Sequence, residues 1–136
     1  MDYSVLVAAA FEARKNAYVP YSNFAVGAAL LSADGRIFLG CNIENITFTP
    51  TVCAERTAFF KAISEGVKEF TAIAVVGGLA ERGEGQVDYC TPCGVCRQVI
   101  AEFCTSDFKI ITARSRDDWR EYTLDQLLPE ASKPKF

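Results

Sequence analysis

The stretch "FTAIAVVGGLAERGEGQVDYCTPCGVCRQVIAEFCTSDFKIITA", residues 70 to 113, decides the fold. It begins with FTAIAVV and ends with FKIITA, two runs rich in branched and aromatic residues that are typical of buried strands. Between them, a Gly-rich, charged stretch from Gly77 to Tyr89 is predicted to be a surface loop. PCGVCRQVIAEFC then reads as a helix with Pro92 at or near its first position. This order predicts two parallel strands joined by a right-handed crossover.

The residues upstream of this stretch predict a helix, a hairpin and a second helix. Residues 3 to 17 carry apolar side chains at helical spacing, and Pro20 stops that helix. The stretch FAVGAALLSADGRIFLGCNI, residues 24 to 43, has an Asp-Gly turn between two apolar runs, which predicts an antiparallel hairpin. From about residue 53 the apolar residues again follow a 3.6-residue period, and Gly66 is well placed to end this helix.

The downstream residues complete the expected fold. WREYT predicts a short last strand, and Thr123 and Gln126 have the spacing of a capping box at the start of a short helix. The element order favours an α/β fold with three layers, α-β-α, in which helices cover both faces of a mixed five-stranded sheet. A chain of 136 residues without repeats or linkers is expected to form a single domain over residues 1–136.

Composition argues against several classes of function. The net charge is -3, and no cluster of Lys and Arg forms a surface for nucleic acid. The longest apolar runs fall far short of the roughly 18 residues of a membrane span. The start carries Asp2 and no basic residue ahead of its apolar part, so it does not read as a signal peptide. We therefore expect a cytoplasmic chain, in which clustered cysteines indicate metal binding or catalysis rather than a disulfide framework.

The cysteines are the first candidates for chemistry, because the chain has six of them and no histidine. Cys93 and Cys96 are three residues apart at a predicted helix start, so their sulfurs lie on nearly the same side at a metal-chelating spacing. Cys53 begins the other helix. Unpaired N–H groups and the helix dipole lower the pKa of a thiol at such a position. If the two helix starts converge, three thiolates face one point.

Three kinds of metal site stay open on this reasoning. Cys90, Cys93 and Cys96 resemble the opening of an iron–sulfur ligand set, although the fourth cysteine of that pattern is absent. The same three with Cys53 could close a structural zinc site. Pro92 argues against both, because it places Cys90 outside the helix start. The third possibility is a three-thiolate zinc site that keeps one position for water, as catalytic zinc does.

A catalytic site also needs a proton shuttle, which must be a carboxylate in a chain without histidine. Glu55 lies two residues after Cys53 at the same helix start. By itself, Glu55 reads as a first-turn acid that complements the helix dipole. If Cys53 occupies a cap position, however, the long Glu55 side chain can swing toward the same point.

Four stretches make the chain resemble the small homotetrameric cytidine deaminases over nearly its whole length. They are YVPYSNFAVGAAL, GCNIEN, CAERTA and PCGVCRQVI. Cysteine, one residue, glutamate and a distant Pro-Cys-x-x-Cys is a known signature of zinc-dependent nucleobase deaminases, here in its three-cysteine form. The resemblance implies a zinc enzyme of pyrimidine salvage, with one zinc per subunit. It would hydrolyse the 4-amino group of cytidine and deoxycytidine to give uridine and deoxyuridine plus ammonia.

The resemblance also implies a role for each matching residue. The zinc ligands would be Cys53, Cys93 and Cys96, and Glu55 would move protons from zinc-bound water to ring N3 and the departing amine. The expected substrate contacts are Phe24 on the pyrimidine ring, the Ala54 N–H on the 2-oxo group, Asn42 and Glu44 on the ribose hydroxyls, and Phe48 from a neighbouring subunit.

Charge balance adds Arg56 to the expected site. Three thiolates leave divalent zinc with a net charge of -1, which weakens it as a Lewis acid. An arginine that donates to the sulfurs would compensate. Arg56 directly follows Glu55, and we expect it to hydrogen-bond a ligand sulfur. Arg97 directly follows Cys96 in the same way.

The chain departs from the family pattern at one position, and two other functions stay open. Where related chains carry an aromatic residue after LLP this one has Ser132, so either Phe136 substitutes or that contact is missing. The chain could instead deaminate another cytosine nucleoside of the blasticidin S type, or be a non-catalytic interaction module stabilised by zinc. No role is predicted for the remaining cysteines, Cys41, Cys90 and Cys104.

Overall fold

The structure is a computed structural model that describes residues 2–135. The described chain forms helices and strands in the predicted order, including the short last helix. Their bounds are α1 Ser4–Arg14, β1 Phe24–Ser32, β2 Ile37–Cys41, α2 Ala54–Ser64, β3 Phe70–Leu79, α3 Gly94–Phe103, β4 Lys109–Ser115, β5 Asp118–Thr123 and α4 Leu124–Leu127.

The five strands form one mixed sheet in the order β2-β1-β3-β4-β5, which confirms the predicted fold class. Strands β3 and β4 run parallel through the α3 crossover, with Ala74 opposite Ile111, and the other neighbours are antiparallel. The hairpin between β1 and β2 turns at Gly35, whose φ of +90° favours glycine. The sheet therefore has β3 at its centre, and β3 leads toward the cysteine-bearing loop.

Helices cover both faces of the sheet, as expected for three layers. Helix α1 packs on one face so closely that a Cβ atom on Gly27 would lie 2.1 Å from the Ala10 carbonyl oxygen. Helix α2 approaches the other face as closely, since a Cβ atom on Gly40 would lie 2.3 Å from the Ala54 oxygen. The buried Phe59 ring of α2 is the centre of an aromatic cluster on this second face. Gly27 and Gly40 thus allow α1 and α2 to pack closely against the sheet.

Three boundaries differ from the predicted ones. Helix α1 ends at Arg14 rather than at Ala17, because Tyr18 leaves the helix to pair with the backbone of Asn42 and Glu44. Strand β3 continues through Gly77 to Leu79, so the loop begins later than predicted. Helix α3 begins two residues after Pro92, because extended Cys93 occupies its N-cap. Among the described helices, none has the length and apolar character needed to cross a membrane.

Candidate metal centre and active site

Three cysteines from two helix starts meet at one point. Cys53 is the N-cap of α2, Cys93 is the N-cap of α3, and Cys96 lies in the first turn of α3. The Sγ atoms of Cys53 and Cys93 are 3.7 Å apart, and those of Cys93 and Cys96 are 3.4 Å apart. All three sulfurs lie within 4.8 Å of one another. The convergence that the sequence only suggested is therefore present.

The spacing of the sulfurs fits zinc. Four ligands placed tetrahedrally at the usual Zn–S distance of about 2.3 Å are about 3.8 Å apart, close to the separations of 3.7 Å and 3.4 Å found here. The three sulfurs would supply three of the four ligands of such a site. Cys96 is buried and Cys93 exposed, so the cluster runs from the core to the surface. A fourth position on the open side would be reachable by water and substrate.

Cys90 stays outside this cluster. Among the residues that the structure describes, the group that could hold a metal consists of Cys53, Cys93 and Cys96 alone. Burial raises the pKa of the Cys90 thiol to about 11, which disfavours the thiolate that a metal requires. The geometry thus gives no support to a four-thiolate site or an iron–sulfur cluster.

Arg56 lies against the cluster. Its Nη2 donates to Cys53 Sγ at 3.4 Å, so the predicted hydrogen bond is present. A hydrogen bond from the Cys96 thiol and this bond from Arg56 lower the pKa of Cys53 to about 5. The Arg56 Nε is buried and has no hydrogen-bond partner in the described chain. The guanidinium charge therefore lies within hydrogen-bonding distance of a sulfur of the cluster.

Glu55 is buried, which is unusual for a first-turn helix acid. The residue is only 4% exposed, and burial is the main reason that its pKa rises to about 7. An acid that merely complemented the helix dipole would keep its carboxylate in water, because burying an unpaired charge is costly. A buried carboxyl group whose pKa is strongly raised is a candidate for a functional site.

Asn42 follows β2 and hydrogen-bonds the backbone at the start of β1, where the substrate is expected to bind. Its Oδ1 accepts from Val26 N at 2.9 Å, and its Nδ2 donates to Phe24 O at 2.8 Å. An amide has further donor and acceptor capacity, so one lone pair and one N–H remain for a ligand. Asn42 thus holds the backbone of Phe24, a residue that is 40% exposed.

Glu44 follows β2 as Asn42 does, and one of its two carboxylate oxygens accepts backbone hydrogen bonds. Its Oε1 accepts from the backbone N–H groups of Tyr21 and Ser22 at 3.0 Å and 3.1 Å. The Ser22 side chain lowers the pKa of Glu44 most, and the two backbone hydrogen bonds lower it further, so the carboxylate stays ionised. Glu44 also lines an open apolar cavity with the ring of Phe48, which is 72% exposed and meets Tyr21 edge-on.

Gly77 is a functional candidate that sequence reasoning missed. A Cβ atom there would lie 3.0 Å from Cys90 Sγ and 3.2 Å from the Phe24 ring. The absence of a side chain lets the Phe24 ring and the cysteine-bearing loop approach each other. Its only sequence signal was the Gly-Gly pair, which was assigned to the loop instead of to β3.

The C-terminal segment lies beside α3. The carbonyl oxygen of Ser132 accepts from Gln98 Nε2 at 2.9 Å. Phe136, the suggested replacement for the missing aromatic residue, lies outside the described residues. Cys41 and Cys104 are half-buried, and burial raises the pKa of Cys104 to about 12. Neither of these two thiols belongs to the three-sulfur cluster.

Comparisons with known proteins agree with this geometry. The family described as "Cytidine and deoxycytidylate deaminase zinc-binding region" matches residues 2–112. A cytidine deaminase of Sporosarcina psychrophila is 53% identical over 131 residues, which cover 96% of this chain and 91% of the relative. One from Halalkalibacterium halodurans is 48% identical over 131 residues, covering 96% of this chain and 94% of the relative.

A solved structure extends the likeness to the fold. The crystal structure of cytidine deaminase from Burkholderia pseudomallei superposes with a TM-score of 0.85 at 42% sequence identity, and the match covers 97% of this chain and 100% of that one. Since the family match and these relatives together span nearly the whole chain, this protein belongs to the cytidine and deoxycytidylate deaminase family.

Proposed function

We propose that this chain catalyses the hydrolytic deamination of cytidine and deoxycytidine to uridine and deoxyuridine, with release of ammonia. One observation carries the proposal: a buried carboxyl, Glu55, lies at the helix start where three cysteine sulfurs converge. The names of the relatives support cytidine as the substrate. The zinc-binding domain of the family and the three-cysteine cluster support one zinc in this chain.

The chain's own residues divide the chemistry between them. Held by Cys53, Cys93 and Cys96, zinc would lower the pKa of water far enough to supply hydroxide near neutral pH. Glu55 would take one proton from water as its oxygen adds to C4 of the base, and later the remaining proton of the new C4 hydroxyl. Glu55 would deliver the first of these protons to ring N3 and the second to the departing amine. Water and cytidine are consumed, and uridine and ammonia leave, so atoms balance without a further reactant.

The substrate contacts would come from the start of β1, the segment after β2 and the start of α2. The exposed part of the Phe24 ring would pack against the pyrimidine, and the Ala54 N–H, at the first position of α2, would donate to the 2-oxo group. Asn42 and Glu44 keep hydrogen-bonding capacity after their backbone contacts, which suits ribose hydroxyls. Arg56 would offset the surplus negative charge of three thiolates, because it already donates to Cys53.

The two alternative functions fit these observations less well. A zinc-stabilised interaction module needs no buried acid beside the metal, yet Glu55 is 4% exposed. A structural zinc site normally has four protein ligands, whereas Cys90 lies outside the cluster. The relatives named above are cytidine deaminases, which favours an unmodified nucleoside over one of the blasticidin S type.

The proposal also covers the oligomeric state and the cellular compartment. We expect a homotetramer whose active sites lie near subunit interfaces, with Phe48 reaching a neighbouring site. Support comes from exposed apolar side chains around the loop after β2, namely Tyr18, Tyr21, Ile43, Ile46 and Phe48. We further expect one domain, and a role in pyrimidine salvage in the cytoplasm. All six cysteines are unpaired thiols, as is usual in a reducing compartment.

Ultraviolet absorbance with cytidine, alongside zinc content, tests the function. Glu55→Gln should keep zinc and lose nearly all turnover, because the amide fills the same space and carries no transferable proton. Glu65→Gln, at an exposed position just after the same helix, is the matched control and should turn over normally. A zinc-loaded parent that is inert on cytidine, deoxycytidine and blasticidin S would refute the enzymatic proposal.

A further inference from the structure

We propose that Arg97 is a positioning residue of the metal centre. Its guanidinium donates from Nε to Pro92 O at 2.8 Å, from Nη1 to Leu127 O at 2.7 Å and from Nη2 to Thr91 Oγ1 at 3.3 Å. These bonds join the turn ahead of Cys93 to the end of α4. The inference rests on the proposed function only in taking Cys93 and Cys96 as zinc ligands.

The bond to Pro92 bears directly on Cys93. The carbonyl oxygen of Pro92 and the nitrogen of Cys93 belong to one planar peptide unit, so fixing the first orients the second. Cys93 is the exposed member of the cluster and lacks the core packing that holds buried Cys96. Arg97 therefore restrains Cys93, whereas core packing restrains Cys96.

The bond to Leu127 anchors this turn to a separate part of the fold. Leu127 ends α4, which follows β5 at the far edge of the sheet. The next residue of α3, Gln98, donates to Ser132 O, so two adjacent side chains dock the C-terminal segment on α3. The position of Cys93 thereby depends on how the C-terminal segment packs.

Only an arginine matches these three acceptors. They are two carbonyls and a hydroxyl reached from three different nitrogens of one planar group. The single ammonium of lysine is a point charge on a flexible stem and would not hold all three. Arg97 differs in this from Arg56, which donates to a sulfur.

The release of zinc to an excess of a chromophoric chelator tests this role without using activity. Parent, Arg97→Met and Arg97→Lys are compared in the zinc-loaded state, at a temperature where all are folded. Arg97→Met should release zinc about 10- to 100-fold faster, as is usual when a residue that orients a ligand is lost. Arg97→Lys should fall between. In parallel, kcat for cytidine should drop in Arg97→Met while KM stays close to that of the parent.

Arg14→Met is the matched control for a merely structural arginine. Arg14 is buried and, like Arg97, donates to backbone carbonyls, those of Ala25, Gly78, Leu79 and Arg82, but it does not touch the Pro92 turn. It should lower the thermal midpoint and leave zinc release close to the parent rate. Equal release rates in parent and Arg97→Met, or in Arg97→Met and Arg14→Met, would overturn the role of Arg97 alone. A parent without zinc would overturn the proposed function and this inference together.

Discussion

Cys53 and Cys93 occupy the same position, the N-cap, of two different helices, and their sulfur atoms lie 3.7 Å apart. An N-cap residue has an extended backbone that places its side chain over the open N–H groups of the first turn, as Cys93 Sγ shows by accepting from Cys96 N at 3.4 Å. Two such helix starts aimed at each other bring together the thiols and the positive ends of both helix dipoles. The place of the metal centre in the fold thus follows from the backbone geometry of the two helix starts.

Replacing Arg56 by Gln should lower kcat/KM for cytidine about 10- to 100-fold while zinc remains bound. A hydrogen bond to a charged group is worth about 1.5–3 kcal/mol, and its loss leaves the surplus charge of three thiolates less well compensated. Steady-state kinetics per bound zinc measures the effect. Arg120→Gln, at an exposed arginine that stacks on Tyr89, serves as control. Unchanged kinetics in Arg56→Gln would contradict the charge argument.

Removing zinc should lower the thermal midpoint of the parent. It should lower the thermal midpoint of Cys53→Ala much less. A metal that binds only the folded state adds about 2.7 kcal/mol at a hundredfold excess over its dissociation constant. Scanning calorimetry with and without chelator measures the shift. Cys41→Ala should keep the full shift, because Cys41 is outside the cluster. An equal shift in Cys53→Ala would show that Cys53 is not a ligand.

Gly40→Ala should reduce both stability and turnover. The added Cβ would lie 2.3 Å from Ala54 O and 2.6 Å from Ala58 N, so the backbone of α2 must move, and with it the helix start that carries Glu55. Such overpacking costs typically about 1–3 kcal/mol. Chemical unfolding and kcat per zinc are the measurements.

Gly27→Ala provides the comparison for Gly40→Ala. Its Cβ would collide with α1 on the opposite face of the sheet, at Ala10 O and Arg14 N. It should destabilise the fold to a similar extent and leave the turnover of the folded fraction nearly unchanged. Equal loss of turnover in both variants would mean that the active site responds to general destabilisation.

Ionisation of Cys104 should make the protein less stable at high pH. Burial raises the pKa of this thiol from 9.0 to about 12 in the folded protein. Its contribution to stability is therefore complete below pH 9 and lost as pH rises from 9 toward 12. The loss follows a slope of about 1.4 kcal/mol per pH unit.

Cys104→Ala isolates this group from the other residues that titrate in the same range. The free energies of unfolding of parent and variant, taken from denaturant melts at pH 8 and pH 10, should differ by about 1.4 kcal/mol less at the higher pH. A difference that does not change with pH would mean that the thiol is not held neutral by burial.

Much of the fold follows from local sequence patterns. The two apolar runs of residues 70–76 and 108–113 with a helix between them were enough for the parallel pair β3 and β4. The capping box at Thr123 and the turn at Gly35 were also predicted, because the side chain or backbone freedom that makes them is local. Where local patterns compete, as at the end of α1, the prediction extended the helix too far.

For the metal centre, the sequence by itself determined which residue types were available: cysteines at two helix starts, a carboxylate beside one of them and no histidine. Only the tertiary structure decided that Cys53 meets Cys93 while Cys90 stays outside, that Glu55 is buried, and that Arg97 reaches Leu127. The reason is physical. Helix and strand periodicity depends on neighbours within a few residues, whereas distances between side chains of different elements depend on how closely those elements pack.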